Sequence, residues 1–135
     1  MSNWPTPHHG MVSEYQASGV PFVTSSAANE VNSTPVSVTF PFVTRWVQVF
    51  NTDSASAHTL RVGFTSNGVS GVETANYIVL SGGQATARME LKCNQLWFLK
   101  HGSSATSFSV VAGLTNIPQN QFFNVTGSNG VAGVG

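Results

Sequence analysis

The sequence predicts an all-β protein: an antiparallel β-sandwich, a single jelly roll of about eight strands, with an N-terminal arm and a Gly-rich C-terminal tail. Short apolar stretches recur about every ten residues from Val20 onward, separated by Ser, Asn, Gly and Pro. Apolar and polar residues alternate in several of these stretches, and helical periodicity is absent. Of the 135 residues, 41% are hydrophobic, which is enough for one core.

The chain divides into three predicted parts. Residues 1–18 form an arm, because Trp4 and several Pro and Gly residues occur there without any sustained periodicity. Residues 19–126 form the β-sandwich domain. Residues 127–135 form a flexible tail, because glycine is too frequent there for the segment to hold a conformation alone.

The alternation of apolar and polar residues predicts where the strands lie. It is clean in 36–40 and 60–64, and it is longest in 85–93, where Met89 and Leu91 should face the core while Arg88, Glu90 and Lys92 face away. The predicted strands are 20–24, 36–40, 45–51, 58–64, 76–80, 85–93, 96–100, 107–114 and 121–126. The last eight of these form the two predicted sheets of four strands each.

Two details of the sheets also follow from the sequence. Ser81-Gly82-Gly83-Gln84 predicts a tight hairpin that pairs strand 76–80 with the start of strand 85–93. Residues 45–50 and 96–99 are apolar on both faces, so these strands should be central or covered.

Composition excludes several classes of function. Only 7% of the residues are charged, with five Lys+Arg and five Asp+Glu, and the basic residues are scattered singly. Direct binding of nucleic acid through a basic patch is therefore disfavoured. We expect no membrane span, because no apolar run approaches about 18 residues. The N-terminus also lacks the pattern of a signal peptide, and the single cysteine, Cys93, fits synthesis in the reducing cytoplasm.

The residues that could carry chemistry do not form a recognisable site. The acidic residues show no paired pattern, and His58 and His101 lack the spacing of a metal site on a strand. Cys93 ends an apolar strand face, which predicts a buried, unreactive thiol. We therefore predict no enzyme activity, no catalytic residue, no metal and no cofactor.

Three aromatic residues leave two interpretations open. Trp46, Trp97 and Phe98 lie within strands rich in Val, Leu and Phe, which favours packing in the core. In the alternative, they form a stacking platform of a carbohydrate-binding or receptor-binding module. The exposure of the two tryptophans distinguishes these interpretations.

Low charge and the arm together predict an assembly subunit. A protein with so few charges and zero formal net charge tends to associate with other chains. An arm that orders against a neighbour adds contact area without enlarging the core. Trp4 and Tyr15 are the predicted apolar contacts of this arm, and the predicted partners are further copies of the chain.

The strands resemble a known group of proteins. Leu60-Arg61-Val62-Gly63-Phe64, the Asn67-Gly68-Val69 turn, the stretch from Asn76 to Gly83, and Arg88-Met89-Glu90-Leu91-Lys92 look like small jelly-roll virion proteins of icosahedral DNA viruses and phages. This resemblance covers roughly residues 35 to 126. It implies a capsid, penton, spike or decoration subunit that is located in the virion and contacts other capsid proteins.

Overall fold

A computed structural model describes residues 12, 13, 19–71, 75–122, 133 and 134 of the chain. Its regular structure is almost entirely β, as the alternating sequence predicts. The strands are β1 (Val20–Ser25), β2 (Val36–Thr39), β3 (Phe42–Asn51), β4 (Leu60–Gly63), β5 (Tyr77–Leu80), β6 (Gln95–Lys100) and β7 (Phe108–Pro118). One short helix, Ser66–Ser70, follows β4, and a 3-10 turn, Gln119–Gln121, follows β7.

The strands form two antiparallel sheets. The three-stranded sheet has the order β1-β7-β3, and the four-stranded sheet has the order β2-β6-β4-β5. Fully buried apolar side chains from both sheets fill the space between them, among them Val47, Leu60, Leu96, Phe98 and Val110. The prediction of an all-β antiparallel sandwich is confirmed at this level.

Aromatic stacking joins the two sheets within the core. Phe98 of β6 and Phe108 of β7 lie with ring centroids 3.9 Å apart and planes inclined by 10°. Both side chains are buried. Removing two large apolar rings from water contributes about 1.5–3 kcal/mol each to folding, which makes this pair a principal link between the sheets.

A buried asparagine closes one end of the sandwich. The Asn51 side-chain amide donates to the backbone oxygens of His58 at 2.9 Å and Leu80 at 3.0 Å. Its Oδ1 accepts from the Thr106 hydroxyl at 3.0 Å and from the Asp53 backbone N–H at 3.1 Å. This amide therefore satisfies backbone groups of several chain segments that meet where water is excluded.

The predicted strand 85–93 is wrong as a continuous strand. Only two isolated bridges occur along it, Val47 with Met89 and Phe50 with Ala85. Side chains interrupt the ladder: the Thr86 hydroxyl accepts from the Val49 N–H, and the Thr44 hydroxyl accepts from the Cys93 N–H. Residues 84–93, called the 84–93 segment below, nevertheless run along the outer edge of β3.

The predicted alternation within this segment is present in its second half. Met89 and Leu91 are partly buried against the core, and Cys93 is buried. The three charged residues between and beside them, Arg88, Glu90 and Lys92, are exposed. The segment thus separates apolar from charged side chains without forming a regular strand.

The predicted hairpin at Gly82-Gly83 is wrong in its partner strands. The turn itself exists, since the Gln84 N–H donates to the Ser81 oxygen at 2.9 Å and Gly83 has a φ of +83°. However, β5 pairs with β4, and the chain crosses after the turn to β3 of the other sheet. Gly82 permits this crossing, because a Cβ there would overlap the Ala55 carbonyl oxygen.

Other boundaries differ from the predictions by a few residues. The strand predicted at 45–51 begins at Phe42, and its pairing with β7 shifts register between Phe42 and Thr44 and again between Thr44 and Trp46. β6 is central as expected, whereas the outer edge of β3 is covered by the 84–93 segment. The strand predicted at 121–126 begins with the 3-10 turn, and residues 123–126 lie outside the described residues.

The short helix lies where the sequence predicts only a loop. Its N-cap Thr65 accepts from the Gly68 N–H at 2.9 Å, and its C-cap Gly71 has a left-handed φ of 69°. In the described ranges, no helix is long and apolar enough to cross a membrane.

Candidate assembly surfaces

The outward side of the three-stranded sheet is uncharged. Beyond the register shift, Val47 and Val49 of β3 point into the core, so the residues that alternate with them, Trp46, Gln48 and Phe50, point outward. Cross-strand pairing brings these outward residues beside those of β7 and β1. We call this surface the tryptophan face; its residues are Pro21, Val23, Trp46, Gln48, Phe50, Val111 and Gly113.

Trp46 lies across the backbone of Gly113 on the tryptophan face. A Cβ on Gly113 would come closer than 3.0 Å to three indole atoms, so only glycine leaves room for the ring. The Arg88 guanidinium carbon lies 5.9 Å from the ring centroid. The prediction that Trp46 packs in the core is wrong, because the register shift between Thr44 and Trp46 turns it outward.

Trp97 also differs from the core prediction, whereas Phe98 matches it. Trp97 is half-buried and alternates with the core residues Leu96 and Phe98, which places it on the outward side of the four-stranded sheet. Its Nε1 is buried and has no hydrogen-bond partner among the described residues. Neither tryptophan therefore belongs to the core, and neither is fully exposed.

Three strand edges lack a partner strand within the described ranges. They belong to β1, β2 and β5, because these strands end the two sheets and the 84–93 segment covers β3. Such edges present unpaired backbone N–H and C=O groups. Val23 on β1 is 70% exposed, and on β5 Ile78 is 47% and Val79 is 42% exposed.

An apolar groove of about 350 Å³ opens between the sheets beside β5. The apolar side chains of β5, β4 and the 84–93 segment form most of its wall, and Gly133 of the tail also contributes. Nearby, the Thr65 hydroxyl donates to the Val134 carbonyl oxygen. The apolar residues are Val62, Phe64, Ala75, Ile78, Met89 and Leu91.

His58 belongs to a loop-stabilising pair with Asp53. Its Nδ1 lies 3.0 Å from Oδ2 of Asp53, whose Oδ1 accepts from the Ala55 backbone N–H at 2.9 Å. The hydrogen bond from Ala55, followed by that from His58, lowers the pKa of Asp53 below its usual value. These contacts hold the loop between β3 and β4 and do not form an open site.

His101 lies in a second cluster, with Arg61 and Tyr77. The Arg61 Nε donates to His101 Nδ1 at 3.2 Å, and its guanidinium carbon lies 4.3 Å from the centre of the Tyr77 ring. Arg61 also donates to the backbone oxygens of Val69 at 2.8 Å and Ser70 at 3.1 Å. Its donors therefore cap the carboxyl end of the short helix.

Metal ligands do not converge in the part of the chain that the structure describes. No group of three or more His, Cys, Asp and Glu residues could hold a metal ion there. Cys93 is buried, as predicted, and lies 3.4 Å from the Thr44 hydroxyl. Burial, the main cause, raises the pKa of this thiol to about 11.

The predicted arm contacts, Trp4 and Tyr15, lie outside the described residues. Within residues 1–18, the structure describes Val12 and Ser13, and both are exposed. The contact role of Trp4 and Tyr15 therefore stays a prediction.

The chain has a distant structural similarity to a known protein assembly. No protein-family model matches the sequence, and no curated protein matches it. Among solved structures, the chain is similar to a chain of Bacillus endospore appendages, described as a novel family of disulfide-linked pili. The alignment covers 84% of this chain and 100% of that one, with 13% sequence identity and a TM-score of 0.38.

Proposed function

We propose that this protein is a structural subunit that assembles with copies of itself through protein–protein contacts. The tryptophan face is the observation that supports this most directly. Val23 and Trp46 lie there on a sheet surface whose members carry no charge. Largely apolar surface of this kind marks interaction sites, because its burial is favourable.

The low charge of the whole chain supports the same proposal. Five basic and five acidic residues give a formal net charge of zero, so copies of the protein repel one another only weakly. Copies of the chain can then contact one another through several surfaces without bringing like charges together.

Strand order supports a jelly roll as the detailed architecture. If the 84–93 segment counts as a strand beside β3, the two sheets have the orders β1-β7-β3-(84–93) and β2-β6-β4-β5. Two four-stranded sheets connected in this way are the arrangement of a jelly roll. This order agrees with the resemblance of residues 35 to 126 to virion jelly-roll proteins, and we propose the virion as the location and capsid proteins as partners.

The oligomeric state of the purified full-length protein tests the proposal. Mass photometry and sedimentation velocity over a range of concentrations should show defined oligomers. Val23→Glu, on the tryptophan face, should weaken them, whereas Glu90→Gln, on the exposed side of the 84–93 segment, serves as a control. A protein that stays monomeric at high concentration contradicts the proposal.

A role without catalysis is part of this proposal. Asp53, His58, Arg61 and His101 each make contacts that stabilise loops or the short helix. We therefore expect Asp53→Asn and His101→Gln to lower the stability of the fold and to abolish no catalytic activity.

The glycan-binding alternative rests on one observation. Trp46 is half-buried on an outward sheet face beside Gln48, so an aromatic ring and an amide are adjacent at the surface. Quenching or enhancement of tryptophan fluorescence by a panel of oligosaccharides would support this role. The response should disappear in Trp46→Phe and remain in Trp97→Phe.

A further inference from the structure

β5 differs from the other unpartnered strand edges of the described sheets because it has neither proline nor charge within the strand or directly beside it. Natural proteins block such edges with proline, charge or covering segments. β1 contains Pro21, and β2 lies between Pro35 and Pro41. The four residues of β5 include neither proline nor charge, and Asn76 and Ser81 directly flank them.

Both faces of β5 expose an apolar side chain. Ile78 pairs with Val62, a core residue, and points toward the groove, whereas Val79 pairs with Arg61 and points to the outward side. Both remain more than two-fifths exposed. A strand added along this edge would cover both of them and pair with the backbone groups of β5 that have no partner strand among the described residues.

We propose that β5 pairs antiparallel with β5 of a second copy of this chain, joining the four-stranded sheets of the two copies. This inference rests on the proposed function as a self-assembling subunit and identifies one of its contact surfaces. An edge that lacks charge can meet itself about a two-fold axis without repulsion. The other two free edges fit β5 less well, because their prolines cannot donate to a ladder.

The two-fold arrangement limits the register. Antiparallel strands related by an axis perpendicular to the sheet keep equivalent faces on the same side. Directly opposed residues must therefore come from the same face, and either Ile78 opposes Ile78 or Val79 opposes Val79. Such a short ladder buries a small area, so it is weak in isolation and gains strength from the other contacts of an assembly.

Cysteine cross-linking of the full-length protein tests this pairing. Ile78→Cys and Val79→Cys are oxidised separately with copper phenanthroline at a concentration where the protein is oligomeric. We expect a covalent dimer from whichever residue opposes itself, since directly opposed Cβ atoms lie within disulfide reach. Glu90→Cys is the control, because Glu90 is exposed on the 84–93 segment and belongs neither to β5 nor to the tryptophan face. The buried Cys93 leaves the background low.

The outcomes separate the possibilities. Cross-linking at position 78 or 79 alone supports the proposal. Equal cross-linking at position 90, or none at either β5 position, overturns it. A product that forms only when Val79→Cys and Val23→Cys are mixed also overturns it, because it shows that β5 meets β1 of another copy.

A charge variant distinguishes this inference from the broader proposal. Val79→Glu places a carboxylate beside Arg61 within its own sheet, which favours folding. It also brings two carboxylates together across the axis, directly opposed if Val79 opposes Val79 and diagonal if Ile78 opposes Ile78. We expect the concentration for half-assembly to rise about tenfold or more, with an unchanged melting temperature. If this variant assembles like the wild type, β5 pairing is wrong while the proposed function stands. If the wild type itself is monomeric, the proposed function fails as well.

Discussion

The indole of Trp46 fills the space that a side chain on Gly113 would need. The two residues pair across β3 and β7 at one end of the tryptophan face. The shape of this surface therefore depends on a glycine in the middle of a long strand, where glycine is otherwise unfavourable.

Gly113→Ala should displace the Trp46 ring and destabilise the protein. A methyl group inserted into filled space costs about 1–3 kcal/mol, which urea unfolding can measure. Gly102→Ala is the control, because its Cβ would lie 3.4 Å from the nearest atom, the Thr59 hydroxyl oxygen. In a Trp46→Ala background the cost of Gly113→Ala should largely disappear. An equal cost in both backgrounds would show that the ring does not cause it.

Asn51→Ala should be among the most destabilising polar substitutions. It leaves the His58 and Leu80 carbonyl oxygens and the Thr106 hydroxyl without their amide partner in a buried region. We expect a loss of about 2–4 kcal/mol in the free energy of unfolding, since each orphaned buried group costs about 1–3 kcal/mol. Asn94→Ala, which removes a long exposed hydrogen bond of 3.5 Å, should change little. Similar losses from both would contradict the role of Asn51.

The Asp53 carboxylate should make the protein more stable at pH values above the range in which it titrates than at pH values below that range. Its hydrogen bonds lower its pKa in the folded state, so the stabilisation is fully present above the unfolded value of about 3.8 and is lost as the pH falls through the folded value. The drop in melting temperature between pH 6 and pH 2.5 should be smaller in Asp53→Asn. Glu90→Gln, in the exposed pair with Arg88, provides the comparison and should retain the wild-type drop.

Cys93 should resist thiol reagents in the folded protein. Burial hides the sulfur, and a pKa of about 11 leaves little thiolate at pH 8. Labelling by a disulfide reagent should be on the order of 100-fold slower than for Val23→Cys. It should become fast in denaturant. Rapid stoichiometric labelling of native wild-type protein would show that this part of the core opens readily.

Deletion of residues 2–18 should leave the fold intact and weaken assembly. The core is built from residues 31–114, so the melting temperature should change little. Loss of Trp4 removes an apolar contact worth about 2–3 kcal/mol when fully buried, and Trp4→Ala should reproduce much of the defect. A truncated protein that assembles normally would exclude the arm as a contact.

Strand positions were predictable from the sequence because alternation survives in most of the strands. β2 and β6 appear within about one residue of their predicted bounds. The short helix carries a signal that could have identified it, Thr65 at its N-cap and Gly71 at its C-cap. The predicted pairing of the two strands that flank the Gly82-Gly83 turn was wrong, because strand pairing depends on hydrogen bonds between residues far apart in sequence.

The candidate surfaces were less predictable than the strands. Trp46 lies in an apolar run, and only the register shift beside Thr44 shows that its side chain points outward. Pro21, Pro35 and Pro41 can be read from the sequence, but identifying β5 as the unprotected edge requires the strand order. Local patterns specify which residues form strands, whereas tertiary pairing specifies which edges remain free.

The position of β7 between β1 and β3 constrains how the chain can fold during translation. Among the described strands β7 is synthesised last, yet it is the shared neighbour of β1 and β3. Neither can enter the three-stranded sheet until about residue 118 has left the ribosome. The earlier strands of this sheet therefore keep apolar residues exposed until then, and completion of the sandwich depends on contacts distant in sequence.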